Sequence, residues 1–264
     1  TMKQNSNIKT KFLKIDNKNI EYQFFGNLSN NMPVLILLHE GLGSVSMWRH
    51  IPELIHLKTK LNVLVYSRFG YGKSSNIELP RPTNYMSIEA DQYLPKIIKY
   101  LSIKNYFLVG HSDGGTIATI GSVPKNSESL IGTILIAPHF FVEQESINAI
   151  KHTTYQYEHK NLKSKLKRFH NDVDNAFWGW SNVWLSPDFK NWNISKYLTQ
   201  IRKPILALQG TNDPYGTINQ INILEEKVNG PFDKVVIKDC GHNPFIEYTD
   251  KTMEHINSFV TKLV

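Results

Sequence analysis

Residues 107–116 read Phe-Leu-Val-Gly-His-Ser-Asp-Gly-Gly-Thr, and this stretch limits the fold more tightly than any other. The run Asn105–Gly110 is short and β-rich, and Thr116–Ile120 continues with helical character. Between them Gly110-His111-Ser112-Asp113-Gly114 makes a G-x-S-x-G pattern, with a glycine two residues to either side of Ser112. A strand turning at once into a helix crowds its own backbone. A Cβ at either glycine would collide with the neighbouring chain, and Ser112 must accept strained dihedrals. The turn holds a hydroxyl clear of the sheet at a helix N-terminus, where developing negative charge is favoured. Such a turn is a nucleophile elbow.

The rest of the chain supplies the sheet that an elbow needs. Lys11–Ile15 and Asn19–Phe25 predict a first hairpin turning near Asp16-Asn17. Val34–His39, Asn62–Tyr66, Leu130–Ala137 and Pro204–Gln209 are short apolar runs of the kind buried on both faces of a parallel sheet. Lys234–Lys238 predicts one more strand. Helical patterns over Met47–Leu57, Ser87–Leu101 (with Pro95 as a kink), Ile218–Val228 and Thr249–Leu263 alternate with them. Strand–helix alternation of this kind implies an α/β fold with a mostly parallel, doubly wound sheet. The alternation stops over residues 139–200, which read as amphipathic helix rich in aromatics. The expected division is a core of residues 1–138 and 201–264, with 139–200 inserted after a central strand as a helical lid at the strand C-termini, where open sheets bind ligands.

Bulk properties exclude several classes. A chain of 264 residues that is 41% hydrophobic and 20% charged buries one good core. Its longest apolar stretch is strand-sized, so no membrane span is expected. Thr1–Asp16 is polar and lysine-bearing, without the apolar region of a secretory signal, and the lone Cys240 rules out an internal disulfide. A cytoplasmic location is the expectation. The net charge of +7 is spread along a lysine- and asparagine-rich chain, and no recognition motif accompanies it, so nucleic acid is not an expected partner.

A serine hydroxyl is a poor nucleophile until a base takes its proton. Cys240-Gly241-His242-Asn243-Pro244 follows the last predicted strand, and Gln209-Gly210-Thr211-Asn212-Asp213-Pro214 follows the strand before it. Ser112, Asp213 and His242 thus fall on three loops at strand C-termini, in the order nucleophile, acid, base. Taken singly, Asp213 also fits an Asx turn before Pro214, and His242 fits an ordinary loop histidine. Jointly, order and placement favour a catalytic set. Asp239 is a rival acid that better suits a structural role, and His39 better suits a packed core histidine. Acyl transfer also needs oxyanion donors. The backbone N–H groups of Asp113 and Gly41 are the candidates, with Leu42 as an alternative to Gly41. Neither metal nor organic cofactor is required. His170, Asp172 and Asp174 lack further ligands at metal-binding spacing.

Leu38-His39-Glu40-Gly41-Leu42-Gly43, Arg68-Phe69-Gly70-Tyr71-Gly72-Lys73-Ser74, Gly110-His111-Ser112-Asp113-Gly114-Gly115, the Asp213 loop and the Gly241-His242 pair together resemble the α/β-hydrolase superfamily, in its serine-nucleophile, carboxylesterase-like branch. The likeness spans nearly the whole chain apart from the N-terminal tail and the lid. It implies the α/β-hydrolase fold and a serine triad, and serine at position 112 sets aside the branches that use aspartate there. Two residues depart from the common pattern. Glu40 stands where many members have glycine, and Asp113 where many have an apolar residue. Two carboxylates facing the oxyanion site would disfavour an anion there, so both are expected to turn aside onto backbone or arginine donors, with Arg49 and Arg68 as partners.

The expected activity is hydrolysis of a small-molecule carboxylic ester through an acyl-enzyme. Phe140, Phe141, Trp178, Trp180 and Trp184 are candidate acyl-pocket residues, with Phe177 and Trp192 nearby, although aromatics at helical spacing also build a lid's own core. Lys160, Lys163, Lys165, Lys167 and Arg168 form a basic stretch that reads as an exposed face or as a dock for an acidic carrier. In the second case the chain resembles esterases that demethylate pimeloyl-acyl-carrier-protein methyl ester. A carbon–carbon bond hydrolase, an acyl transferase or lyase on the same triad, and a non-catalytic ligand-binding protein are the other expectations that the sequence leaves open.

Overall fold

Val34–Leu38, Asn62–Tyr66 and Tyr106–His111 are buried at every position, as strands must be when both faces of a sheet are covered. The computed structural model describes residues 8–126 and 128–264. Residues 1–7, part of the polar segment read against a secretory signal, lie outside it. Eight strands form one sheet: β1 (Lys11–Ile15), β2 (Lys18–Phe25), β3 (Val34–Leu38), β4 (Asn62–Tyr66), β5 (Tyr106–His111), β6 (Leu130–Ile136), β7 (Ile205–Gly210) and β8 (Phe232–Ile237). Their order is β1-β2-β4-β3-β5-β6-β7-β8. The β1–β2 and β2–β4 pairs are antiparallel, and every later pair is parallel. All six strands from β3 onward therefore point their C-termini to one edge.

Alternation along each strand feeds two cores. Leu35, Leu37, Val63, Val65, Phe107 and Val109 face one side, where α1 (Ile51–Thr59) and α10 (Thr249–Thr261) pack. Val34, Ile36, Leu38, Leu64, Tyr106 and Leu108 face the other. That side is covered by α2 (Tyr85–Ile88), α3 (Leu94–Tyr100), α4 (Asp113–Gly121) and α8 (Asn219–Lys227). The short α9 (Pro244–Glu247) precedes α10.

Two helices differ from expectation, one interrupted at a residue of positive φ and the other widened ahead of a proline. The helix expected over Met47–Leu57 is split into a 3-10 turn, Ser46–Trp48, and α1. Arg49 between them has φ 53°, and Pro52 lies in the first turn of α1, where a missing N–H leaves no bond unmade. The helix expected over Ser87–Leu101 starts two residues earlier. It widens into a π turn at Glu89–Tyr93 and resumes as α3 with Pro95 in its first turn. The wider turn accommodates the bond that Pro95 cannot donate.

The segment between β6 and β7 is helical: α5 (Gln144–His159), α6 (Leu162–Leu166) and α7 (Val173–Trp184), then 3-10 turns. Phe177 of α7 stacks on Tyr157 of α5 with centroids 3.7 Å apart, and Trp178 packs edge-on against both. His170 ties the segment to the sheet edge. Its Nδ1 accepts from Gly72 N at 2.9 Å, and its Nε2 donates to the Leu42 carbonyl at 2.8 Å. Among the described residues, no helix is long and apolar enough to cross a membrane.

Candidate active site

Ser112 joins the end of β5 to the start of α4 at φ 55° and ψ −116°, a conformation that costs a serine about 1–3 kcal/mol. The neighbouring glycines make it feasible. A Cβ on Gly110 would stand 2.1 Å from the Gly114 carbonyl oxygen, and one on Gly114 would stand 2.0 Å from that of Leu38. Ser112 N donates to the Ile136 carbonyl at 2.9 Å, and its own carbonyl accepts from Gly115 N and Thr116 N at 2.8 and 3.1 Å. The backbone is thus fixed on both sides, while the hydroxyl is engaged by no described residue.

His242 follows β8, and its Nδ1 lies 2.9 and 2.8 Å from the two carboxylate oxygens of Asp213, after β7. The Asp213 side chain is 1% exposed and also accepts from Gln209 Nε2 at 2.9 Å and Tyr215 N at 2.8 Å. Burial works to raise its pKa, yet the His242 charge and these hydrogen bonds carry it down to about 2. Burial likewise disfavours a charged His242. The charge and hydrogen bond of Asp213, helped by Glu40 and Asp113, outweigh it and raise the imidazole above its ordinary 6.5. Two further histidines adjoin this ring. His111 Nε2 donates to the His242 carbonyl at 2.8 Å, and the His139 ring lies 6.0 Å from that of His242. Burial foremost, then the charge of His242, depresses them to about 3 and about 4, so both stay neutral.

The loop after β3 carries Glu40, Gly41 and Leu42. Of the two unusual carboxylates, Glu40 accepts a backbone N–H, one of the two expected kinds of donor, whereas Asp113 takes neither backbone nor arginine but two aromatic side chains. Glu40 Oε2 accepts the Leu42 N–H at 2.6 Å. Asp113 is 1% exposed and accepts from the Tyr85 hydroxyl and, at 3.2 Å, from Trp184 Nε1. Arg49 is exposed. Arg68 is buried and spends its guanidinium on main chain instead, donating to the His39 carbonyl at 2.5 Å and the Glu40 carbonyl at 3.1 Å. These backbone carbonyls compete well because they lie in reach without a second charged side chain having to be desolvated. His39 is a packed core residue whose Nε2 accepts from Arg68 N at 3.1 Å. The Leu42 N–H, the alternative oxyanion donor, is consumed by Glu40. That of Gly41 is engaged by no described residue.

The helical segment between β6 and β7 meets this edge through α7. Trp184 reaches Asp113, and the pyrrole edge of Trp180 lies on Gly41. Phe140 is fully buried, its N–H bonded to Gln220 Oε1 at 2.8 Å, and Phe141 is half-buried, bridged to Asn193. Trp178 packs within the segment. Lys163 pairs with Asp174 at 2.8 Å, whereas Lys165, Lys167 and Arg168 are exposed. Asp172 caps α7. His170, Asp172 and Asp174 therefore each hold structural bonds. Sequence reasoning missed Tyr85, Gln209 and Tyr215. A glutamine closing the apolar run of β7, four residues before Asp213, was the one readable sign of a partner for that carboxylate.

Comparison with known proteins bears on the fold and the family. A proline iminopeptidase of Lactobacillus crispatus (strain ST1) is 21% identical over 280 residues, covering 90% of this chain and 93% of its own length. The structure of the esterase RhEst1 from Rhodococcus sp. ECU1013 superposes with a TM-score of 0.72 at 16% identity, covering 98% of this chain and 100% of that one. An enol-lactonase from Burkholderia xenovorans LB400 superposes with a TM-score of 0.74 at 17% identity, covering 95% and 100%. The sequence model of the alpha/beta hydrolase family matches residues 35–254. The chain belongs to the alpha/beta hydrolase family.

Proposed function

We propose that this hydrolase cleaves carboxylic esters through an acyl-enzyme formed on Ser112, with residues 139–200 acting as its lid. The observation that carries the proposal is the His242–Asp213 pair, a buried carboxylate holding the imidazole through Nδ1 on the strand edge that also bears the Ser112 elbow. With Nδ1 committed as donor, Nε2 is the basic nitrogen and can take the Ser112 proton as Oγ attacks the ester carbonyl. The imidazolium formed sits against Asp213, which stabilises it without becoming protonated. The N–H groups of Gly41 and of Asp113, in the first turn of α4, receive the oxyanion. Nε2 then protonates the departing alkoxide. In the second half, water gives its proton to Nε2, attacks the acyl carbon and releases the acid. No hydrogen bond joins Ser112 Oγ to Nε2 here; such contacts commonly tighten only once substrate is bound.

A second reading, release of an N-terminal residue from a peptide, is favoured by the name of the sequence relatives. A panel of p-nitrophenyl esters and prolyl p-nitroanilide separates the two. Ser112→Ala should abolish turnover of every substrate and labelling by a fluorophosphonate, with an unchanged thermal melt. Turnover or labelling retained by Ser112→Ala would refute the assignment.

A further inference from the structure

The proposed oxyanion site has two backbone donors, the N–H groups of Gly41 and Asp113, with a carboxylate near the first. Its loop offers one free donor, because Leu42 N–H is taken by Glu40, and the Glu40 carboxylate lies beside it. A negative charge developing there needs more than the loop supplies. The structure places another donor next to Gly41. A Cβ built on Gly41 would stand 2.2 Å from Trp180 Nε1, 2.4 Å from its Cδ1 and 2.9 Å from its Cε2. The N–H-bearing edge of the indole therefore lies directly on the glycine, where any side chain would displace it. Trp180 is 6% exposed, yet its N–H donates to no described group and is not sealed off. A nearly buried indole N–H usually has a partner. Trp184, one turn further along α7, has one in Asp113.

We infer that the indole N–H of Trp180 is a side-chain donor to the oxyanion, completing with Gly41 and Asp113 a three-donor site to which the inserted segment contributes directly. The inference rests on the serine-esterase reading and deepens it: assembly of the site then depends on α7 being docked on the loop after β3. In the step itself the carbonyl π electrons move onto oxygen as Ser112 Oγ bonds to carbon, and Trp180 shares its proton with that oxygen without transferring it. Glycine at position 41 serves this docking, since a larger residue would hold the indole off.

The decisive comparison is Trp180→Phe, which keeps an aromatic ring but removes the N–H, against Trp180→His, whose ring can restore a donor. Steady-state hydrolysis of a p-nitrophenyl ester should show kcat falling ~10²-fold in Trp180→Phe, with KM and the thermal melt close to wild type. Trp180→His should recover part of that loss. An aldehyde or boronate inhibitor, which forms a tetrahedral adduct with serine, should lose affinity in Trp180→Phe by the same factor as kcat/KM. A kcat for Trp180→Phe near that of the wild type would overturn the inference. So would a loss carried by KM or by a lowered melt, which is the signature of packing alone. Should Trp180→Phe fail to fold, Gly41→Ala provides the second test, because its methyl must push the indole away. It should depress kcat and inhibitor affinity together, and unchanged values would overturn the inference. Fluorophosphonate labelling of Ser112 in the wild type keeps the two layers apart. An unlabelled, inactive wild type defeats the esterase reading and the inference with it, whereas a labelled, active wild type matched by Trp180→Phe defeats only the inference.

Discussion

Asp113→Ala isolates a buried carboxylate that does no chemistry but links three distant segments. Asp113 is 1% exposed, and the two groups that donate to it, the Tyr85 hydroxyl and Trp184 Nε1, belong to residues only 4% and 2% exposed. Truncation leaves the Tyr85 hydroxyl without an acceptor, at about 1–3 kcal/mol. Trp184 Nε1 keeps a fallback, since it also lies 3.2 Å from the Tyr85 oxygen. Loss of the carboxyl group adds a small void, while relief from carrying a buried carboxylate, whose pKa burial has raised, offsets part of the cost. The net expectation is a loss of about 1–3 kcal/mol, or roughly 2–12 °C in Tm for a domain of this size. Differential scanning calorimetry at neutral pH on wild type, Asp113→Ala, Tyr85→Phe and the double variant measures it. In the double variant no hydroxyl is orphaned, but Trp184 Nε1 loses both of its acceptors; in a Trp184→Phe background, which removes that N–H, the double variant should be more stable than the sum of the single losses by about 1–3 kcal/mol. Strict additivity, or an Asp113→Ala melt equal to that of the wild type, would refute the reasoning.

Two further outcomes follow from the same geometry. In the proposed mechanism neutral His242 is the base, and with its pKa raised kcat/KM for an uncharged ester should decline on the acid side with an apparent pKa above 6.5; Asp213→Asn should lower that pKa and cut kcat by ~10³–10⁴-fold. The pair stabilises the fold through the raised His242 pKa below pH 6.5, a gain lost as pH rises through the folded value. It also does so through the lowered Asp213 pKa above pH 3.8, a gain lost as pH falls toward about 2. The melting gap between wild type and Asp213→Asn should accordingly be widest between pH 3.8 and 6.5, and a gap that widens above that window would contradict the pairing. At the elbow, Gly114→Ala forces a methyl against the Leu38 carbonyl at 2.0 Å, whereas Gly115→Ala meets nothing nearer than Pro138 at 3.0 Å. Chemical denaturation should show Gly114→Ala less stable by about 3 kcal/mol, and Gly115→Ala the milder of the two; the reverse order would contradict the crowding described at Ser112.

The parts of the fold readable from sequence were those set by local composition. Val34–Leu38 and Asn62–Tyr66 announced themselves as strands because an unbroken apolar run of that length has few other homes, and both are buried throughout. Asp213 and His242 were readable as loop residues following strands, and the structure brings their side chains together. What stayed hidden depends on contacts between remote segments. Tyr85, Asp113 and Trp184 meet from a helix, an elbow and an insertion, and no spacing rule joins positions so far apart. Arg68 was expected on carboxylates and settles on carbonyls, because which acceptor lies within reach of a buried guanidinium is decided by packing. The π turn at Glu89–Tyr93 shows the same limit at short range: Pro95 signalled a disturbance, but its form was set by α3 having to keep Leu94 and Ile97 in the core.

Arg68 has a consequence for the Gly41 N–H, a donor proposed for the oxyanion. The Glu40 carbonyl that it grips and the Gly41 N–H are two ends of one peptide group, and in a trans peptide these ends point in opposite directions. Anchoring the oxygen on a buried, permanently charged guanidinium therefore fixes the rotation of the whole plane and aims the N–H outward from the opposite side. The peptide behaves as a dipole locked in place during folding, with its orientation set before any substrate of the proposed reaction arrives. No solvent or main-chain rearrangement is then required when charge appears on the carbonyl oxygen. A buried residue thus sets the direction of the field at the proposed oxyanion site.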